Sequence, residues 1–205
     1  MPTDLALIAP ASAAPLRAKI QNVLVLGDSL SAGFGLSRAD AYPALLSERA
    51  ARAGLKVNII NAGVNGGTMS GGLSRLPGLL DHHQLDVLVV ELGINDAFRG
   101  VPLAQVSANL QKIIDLTRAR YPAVKIVIAG MQLPRYSADD YVTQFGAIYA
   151  EIARRNDAAL IPFLLEGVMG NPALNLPDLI HPNASGQKIL AENVWPVLEM
   201  ALKKS

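Results

Sequence analysis

The chain has 205 residues, a hydrophobic fraction of 51%, a charged fraction of 17% and a formal net charge of +1. That balance excludes a disordered polyelectrolyte and argues against an electrostatic grip on nucleic-acid phosphates. The absence of cysteine removes disulfides, thiolate metal sites and cysteine nucleophiles together, and no apolar run approaches the roughly 20 residues that span a bilayer.

Residues 1–20 read as an N-terminal extension or as the remnant of an export signal. Leu5–Ala9 followed by Ala11-Ser12-Ala13 has the apolar core and small-residue cleavage site of such a signal, but Asp4 stands where a basic residue is expected. An exported chain would be periplasmic or secreted; without cleavage it would stay in the cytoplasm. Residues 21–205 read as one domain. Its first element is the continuous β-prone run Val23–Leu26, which stops at Gly27 as a strand buried on both faces should. Val57–Ile60, Val87–Val90, Ile126–Ala129 and Ala159–Ile161 repeat the pattern.

Between these runs, apolar residues fall at helical spacing. Leu103, Val106, Leu110, Ile113 and Ile114 form one such face, and Val142, Phe145, Ile148, Tyr149 and Ile152 another. Ile189, Leu190, Val194, Trp195 and Leu198 form the last, in a helix that Pro196 is expected to kink or weaken. Alternating strands and helices predict an α/β fold, a three-layer α/β/α sandwich around a parallel five-stranded sheet of flavodoxin-like type. Ligand chemistry in such folds sits beyond the carboxyl ends of the strands. That rule selects the loops Gly27 to Gly35, Asn61 to Gly72, Glu91 to Gly100, Met131 to Ser137 and Pro172 to Pro182. Glycines 66, 67, 71 and 72 make the second of these a candidate mobile flap.

Of the three histidines, His82 and His83 lie in a polar connection and read as surface residues. Their adjacency also lacks the i, i+4 spacing that turns two imidazoles toward one ion, so no metal is expected. His181 differs, because Asp178 three residues upstream can turn back to hold its tautomer. Taken alone, that pair would be an ordinary loop ion pair. Ser29 follows a buried strand and a glycine turn, which exposes a hydroxyl at the sheet edge. The rival duty for Ser29 is capping the next helix, and a phosphate-cradling loop is disfavoured because neither glycine-rich nucleotide signature can be read there. Gly63, after the second strand, and Asn95, after the third, can supply donors to a developing oxyanion. Asp28 and Asp96 read as turn-forming carboxylates, and Glu91 as an acceptor for loop amides.

Taken in order, Gly27-Asp28-Ser29-Leu30, Gly63, Gly93-Ile94-Asn95-Asp96 and Asp178-Leu179-Ile180-His181 resemble the blocks of the SGNH (GDSL) hydrolases. Leu26–Gly33, Val90–Gly93 and Ile180–Asn183 are similar to its bacterial branch of multifunctional esterases, acyl-CoA thioesterases and lysophospholipases, which is commonly periplasmic. The resemblance implies Ser29 as nucleophile, His181 as base and Asp178 as its orienting partner. It implies an oxyanion hole made by the Ser29 and Gly63 amides and the Asn95 side chain, with no cofactor.

No serine here has the flanking glycines of the G-x-S-x-G elbow, which sets the α/β-hydrolases aside. The expected substrate is a small-molecule ester or thioester with an acyl or aryl group. The candidate wall residues are Ile94, Phe98, Met131, Leu133, Pro134, Leu176, Pro177 and Ile180, each equally plausible as packing. A catalytically silent carbohydrate- or lipid-binding module of the same fold is the reading of another class.

Overall fold

The structure is a computed structural model that describes residues 20–134 and 140–203. The candidate signal segment before Ile20 and the part of the Met131 to Ser137 loop after Pro134 lie outside the described residues. Five strands form one parallel sheet: β1 (Gln21–Gly27), β2 (Val57–Asn61), β3 (Val87–Glu91), β4 (Lys125–Ala129) and β5 (Ala159–Ile161). Their order across the sheet is β2-β1-β3-β4-β5. The strands read from sequence are thus all present, with ends extended by at most two residues.

Central strands carry the longest fully buried runs. Val23 to Leu26 and Val87 to Leu92 are at most 1% exposed, and burying a Val or Leu side chain contributes roughly 1.5–3 kcal/mol. A strand covered on both faces can therefore be apolar at every position, without the alternation of a half-exposed strand. Edge strand β2 keeps Asn58 exposed, and β5 at the other edge is three residues long.

The helices are α1 (Ser29–Ala32), α2 (Tyr42–Arg52), α3 (Met69–His82), α4 (Ile94–Phe98), α5 (Leu103–Arg120), α6 (Asp140–Arg155) and α7 (Ala184–Lys203). One face of the sheet is covered by α2 packed on α7, the other by α3, α5 and α6 in sequence. The expected kink at Pro196 does not divide α7, which runs as a single helix with the proline on its exposed side. The expected flap is also corrected. Thr68 caps α3 by accepting the Gly71 N–H at 3.1 Å, so Gly71 and Gly72 are helical and only Gly66 and Gly67 remain in the loop. A Cβ at Gly72 would collide with Leu92, which shows how tightly α3 lies on the sheet. Among the described residues no helix is long and apolar enough to cross a membrane.

The strand order places the switch point between β1 and β3, from which the chain leaves in opposite directions. Gly27 pairs with Glu91 there, so the loops that follow these two strands are neighbours.

Candidate active site

At the end of β1 the chain turns sharply into α1. Asp28 caps that helix, its Oδ1 accepting the Leu30 N–H at 2.9 Å, and Ser29 becomes the first helical residue, 6% exposed. Arg75 of α3 donates to the Gly27 carbonyl at 2.7 Å and to the Ala62 carbonyl, tying together the ends of β1 and β2. Glu91 receives the Asp28 and Ser31 amides and the Ser31 hydroxyl on one oxygen, the acceptor duty expected of it. Burial raises Asp28 to about 6 and pushes Glu91 well above the ordinary glutamate value. Asp96 reaches further than its own turn, accepting the Met69 N–H at the start of α3 at 2.9 Å.

His181 is carried by a compact loop leading into α7. The Leu176 N–H donates to the His181 carbonyl at 2.7 Å and the Asn183 N–H to the Leu174 carbonyl at 2.9 Å. Asp178 Oδ1 accepts the Ile180 and His181 amides, each at 3.0 Å, while Leu179 between them takes a φ of 59°. This turn leaves Asp178 Oδ2 2.7 Å from His181 Nδ1. The His181 amide, with smaller help from its ring and the Ile180 amide, holds the Asp178 carboxyl down at about 2. On the other side of the ring, Nε2 lies 3.0 Å from Ser29 Oγ. With Nδ1–H donated to Asp178, Nε2 is free to accept the hydroxyl proton.

Two residues that steady this array carry no motif of their own. Phe34 lies against the imidazole, with ring centroids 4.3 Å apart and planes at 33°. Gln187 of α7, 1% exposed, donates to the Leu30 carbonyl at 3.1 Å and accepts the Tyr42 N–H at 2.8 Å, so the helix behind the histidine is pinned to the helix of the serine. Buried polar groups of this kind were the one available sequence signal, since a glutamine on the apolar side of a helix needs partners.

The three candidate oxyanion donors do not stand alike. Ser29 N–H, at the start of α1, donates to no carbonyl or side chain among the described residues. Asn95 Nδ2 is in hydrogen-bond contact with Asp28 Oδ2 and the Gly67 carbonyl, each at 3.0 Å. Gly63 points elsewhere: its N–H is donated to Asn61 Oδ1 at 2.9 Å, and a Cβ on it would run into the Ala32 amide behind α1. Three residues on, Gly66 has a φ of 71° and an N–H with no acceptor among the described residues, next to the carbonyl that touches Asn95.

A cavity of about 140 Å³ opens at the serine, lined by Leu30, Ile94, Asn95, Phe98, Leu165 and Ile180 besides Ser29 and His181. Of the expected wall residues, Ile94, Phe98 and Ile180 are thus at the cavity. Met131 is buried in the core, and Leu133 faces a separate hollow beside α6. Pro134 and Leu176 are half-buried and Pro177 exposed, all outside the cavity lining, with Leu176 packed near Gly35. His82 ends α3 exposed and His83 is half-buried behind it. A larger cavity of about 480 Å³, bordered by Arg118, Lys125 and Met200, lies at the opposite end of the strands and holds none of these groups.

A hydroxyl, an imidazole and a carboxylate in line at the carboxyl edge of a parallel sheet, without a G-x-S-x-G elbow, define a serine hydrolase of the SGNH type. The chain belongs to the GDSL-like lipase/acylhydrolase family, whose profile matches residues 25–189, and it is a carboxylic ester hydrolase. It is 40% identical to the esterase TesA of Pseudomonas aeruginosa over 91% of this chain and 92% of that protein. It is 37% identical to the thioesterase 1/protease 1/lysophospholipase L1 of Escherichia coli K12 over 85% of this chain and 82% of that protein. The crystal structure of TesA superposes with a TM-score of 0.84 at 40% identity, covering 88% of this chain and 99% of that one.

Proposed function

We propose that the enzyme cleaves short- to medium-chain acyl or aryl esters through an acyl-enzyme, with Ser29 as nucleophile, His181 as base and Asp178 as orienting carboxylate. The observation that carries this reading is the unbroken line Oγ to Nε2 at 3.0 Å and Nδ1 to Oδ2 at 2.7 Å. His181 takes the Ser29 proton as Oγ bonds to the substrate carbonyl carbon, and the resulting imidazolium returns the proton to the leaving alcohol. Water then gives its proton to His181 as its oxygen bonds to the acyl carbon, and the imidazolium returns that proton to Ser29 Oγ as the Oγ–acyl bond breaks and the acid leaves. Asp178, held ionised by its backbone donors, stabilises the imidazolium between the two transfers. No metal or cofactor enters any of these steps.

The oxyanion is received by the Ser29 N–H and by the Asn95 amide, which turns one Nδ2–H from the Gly67 carbonyl to the substrate while keeping the other on Asp28, and the donor from the β2 loop passes from Gly63 to Gly66. The Gly63 amide is spent on Asn61, whereas that of Gly66 is unspent and adjoins the Asn95 contact. The small cavity with Ile94, Phe98 and Ile180 suits an apolar acyl group. Thioester or lysophospholipid cleavage is the second reading, supported by the name of the E. coli relative. The apolar Leu5–Ala9 run and Ala11-Ser12-Ala13 support an exported form cleaved after Ala13, which a mature N-terminal sequence from the native host checks.

Hydrolysis of p-nitrophenyl esters of graded acyl length tests the mechanism. Ser29→Ala is expected to lower kcat by about 10⁴-fold or more. An inactive native chain, or a variant as active as the native, overturns it in favour of a silent binding module. An acyl-CoA, a lysophospholipid and an acetylated sugar in the same panel rank the substrates.

A further inference from the structure

Two carboxyl groups lie behind the nucleophile, and none of the steps above uses either as acid or base. Glu91 is fully buried at the end of β3. Its Oε2 accepts from the Asp28 N–H at 3.1 Å, the Ser31 N–H at 3.2 Å and the Ser31 hydroxyl at 2.5 Å. Its Oε1, equally shut off from solvent, has no hydrogen-bond partner. A fully ionised carboxylate with one oxygen unsatisfied in such a place is costly.

Asp28 adjoins Glu91, its backbone N–H bonded to Oε2 at 3.1 Å, and the two carboxyls lie close enough for the charge of one to raise the other. Two buried carboxyls so close do not both ionise, so the pair retains a proton at neutral pH. The donors around them decide where it sits. Asp28 is turned toward the Leu30 N–H at 2.9 Å and the Asn95 amide at 3.0 Å, both of which favour its charged form. Glu91 Oε1 faces no donor, and a proton there converts an unsatisfied acceptor into a donor with Asp28 as the acceptor in reach.

The remaining groups around the pair do not remove that need. Tyr42 of α2 is bonded to Ser31 Oγ at 2.8 Å, Tyr149 of α6 to the Leu92 carbonyl at 3.0 Å, and Arg75 of α3 to the Gly27 and Ala62 carbonyls. His181 acts on Asp28 only when its ring is charged, favouring the carboxylate there. Among the described residues no ion pair reaches Glu91.

The location of the proton matters for Asn95. A carboxylate at Asp28 accepts only, so it selects the amide orientation with Nδ2 toward it. A protonated Asp28 can donate instead, which leaves Nδ2 held only by the Gly67 carbonyl, a bond given up once the amide turns to the oxyanion. We propose that Glu91 is a positioning residue that works in its protonated form, donating Oε1–H to the Asp28 carboxylate, which in turn orients the Asn95 amide at the oxyanion site. The role presupposes Asn95 as an oxyanion donor. Burial and the neighbouring Asp28 charge act in the same sense on Glu91, pushing its carboxyl well above the ordinary glutamate value.

Infrared spectroscopy of the full native chain, isotopically labelled at the glutamate carboxyls, reads the proton directly, because no other glutamate in the chain is buried. A labelled carboxylic-acid carbonyl band is expected at neutral pH, shifted in Asp28→Asn. Its absence, or its indifference to that substitution, overturns the proposal, and because the band is measured without substrate it is independent of whether Ser29 is the nucleophile. In kinetics, Glu91→Gln keeps a neutral N–H donor and is expected to retain kcat within about threefold, against a loss of about tenfold or more at little-changed KM for Glu91→Ala. A folded Glu91→Gln chain with kcat reduced a hundredfold overturns the proposal even if Glu91→Ala fails to fold.

Discussion

Gly63 and Gly66 separate two duties that look alike as residues. Gly63 is glycine because the Ala32 amide occupies the space a side chain would take, whereas Gly66 is glycine because its φ of 71° disfavours any Cβ. Gly63→Ala is expected to push α1 off its seat, so thermal melting and kcat fall together. Gly66→Ala has room, its nearest atom being Arg99 Nη2 at 3.5 Å, and pays only a backbone cost of about 1–2 kcal/mol. Its melting temperature should therefore drop by a few degrees while kcat falls more than that of a Gly66-distant surface variant of equal stability. Melting curves and steady-state kinetics on the two variants check this, and a Gly63→Ala chain with native stability would contradict the packing argument. Ser29, Asp178, His181 and Asn95 are legible in the sequence because each sits in a short turn whose chemistry is local. Phe34 and Gln187 are not, since each acts on a residue more than a hundred positions away.

At the scale of elements, α7 holds the base against the nucleophile, and its continuity through Pro196 is the point at which helix propensity gave way to tertiary packing. Val194, Trp195 and Leu198 are buried on its inner face, and that burial outweighs a missing backbone hydrogen bond on the outer one. Pro196→Ala restores the N–H. The lost chain-stiffening of proline offsets part of the gain, leaving a net stabilisation of about 1 kcal/mol or more. For a chain of this length that is a rise of roughly 2–4 °C in Tm, measurable by calorimetry with kcat unchanged. An unaltered or lower Tm would mean that the helix has already relaxed around the proline. The flap expected from glycines 66, 67, 71 and 72 loses its second pair to α3 for a related reason: small residues on that helix serve close packing against Leu92 as well as turns.

For the whole molecule, the buried and exposed carboxyls of the site pull stability in opposite directions with pH. Asp178 is depressed to about 2 from 3.8, so its contribution is present above the ordinary value and is lost as pH falls from about 4 toward 2. Asp28 is raised to about 6, so the folded state binds more protons than the unfolded one between about 4 and 6 and loses stability as pH rises through that window. Glu91 extends the same trend to higher pH. The Tm of the native chain relative to Asp28→Asn is accordingly expected to decline from pH 4 to pH 6. A flat or rising difference in calorimetric scans would show that burial does not hold the proton there.

The sequence by itself determined the α/β sheet with its strands in place, the Ser29, His181 and Asp178 constellation and the presence of Asn95 nearby. Continuous apolar runs, glycine turns and an Asp three residues before a His are short-range patterns whose physics is complete within a few residues. Only the tertiary structure decided that β1 and β3 are neighbours, that the free loop amide belongs to Gly66 rather than Gly63, and that Glu91 shares a buried space with Asp28. Those facts depend on which side chains and dipoles meet across the switch point, and Gly27 opposite Glu91 is set by sheet order and register rather than by spacing along the chain.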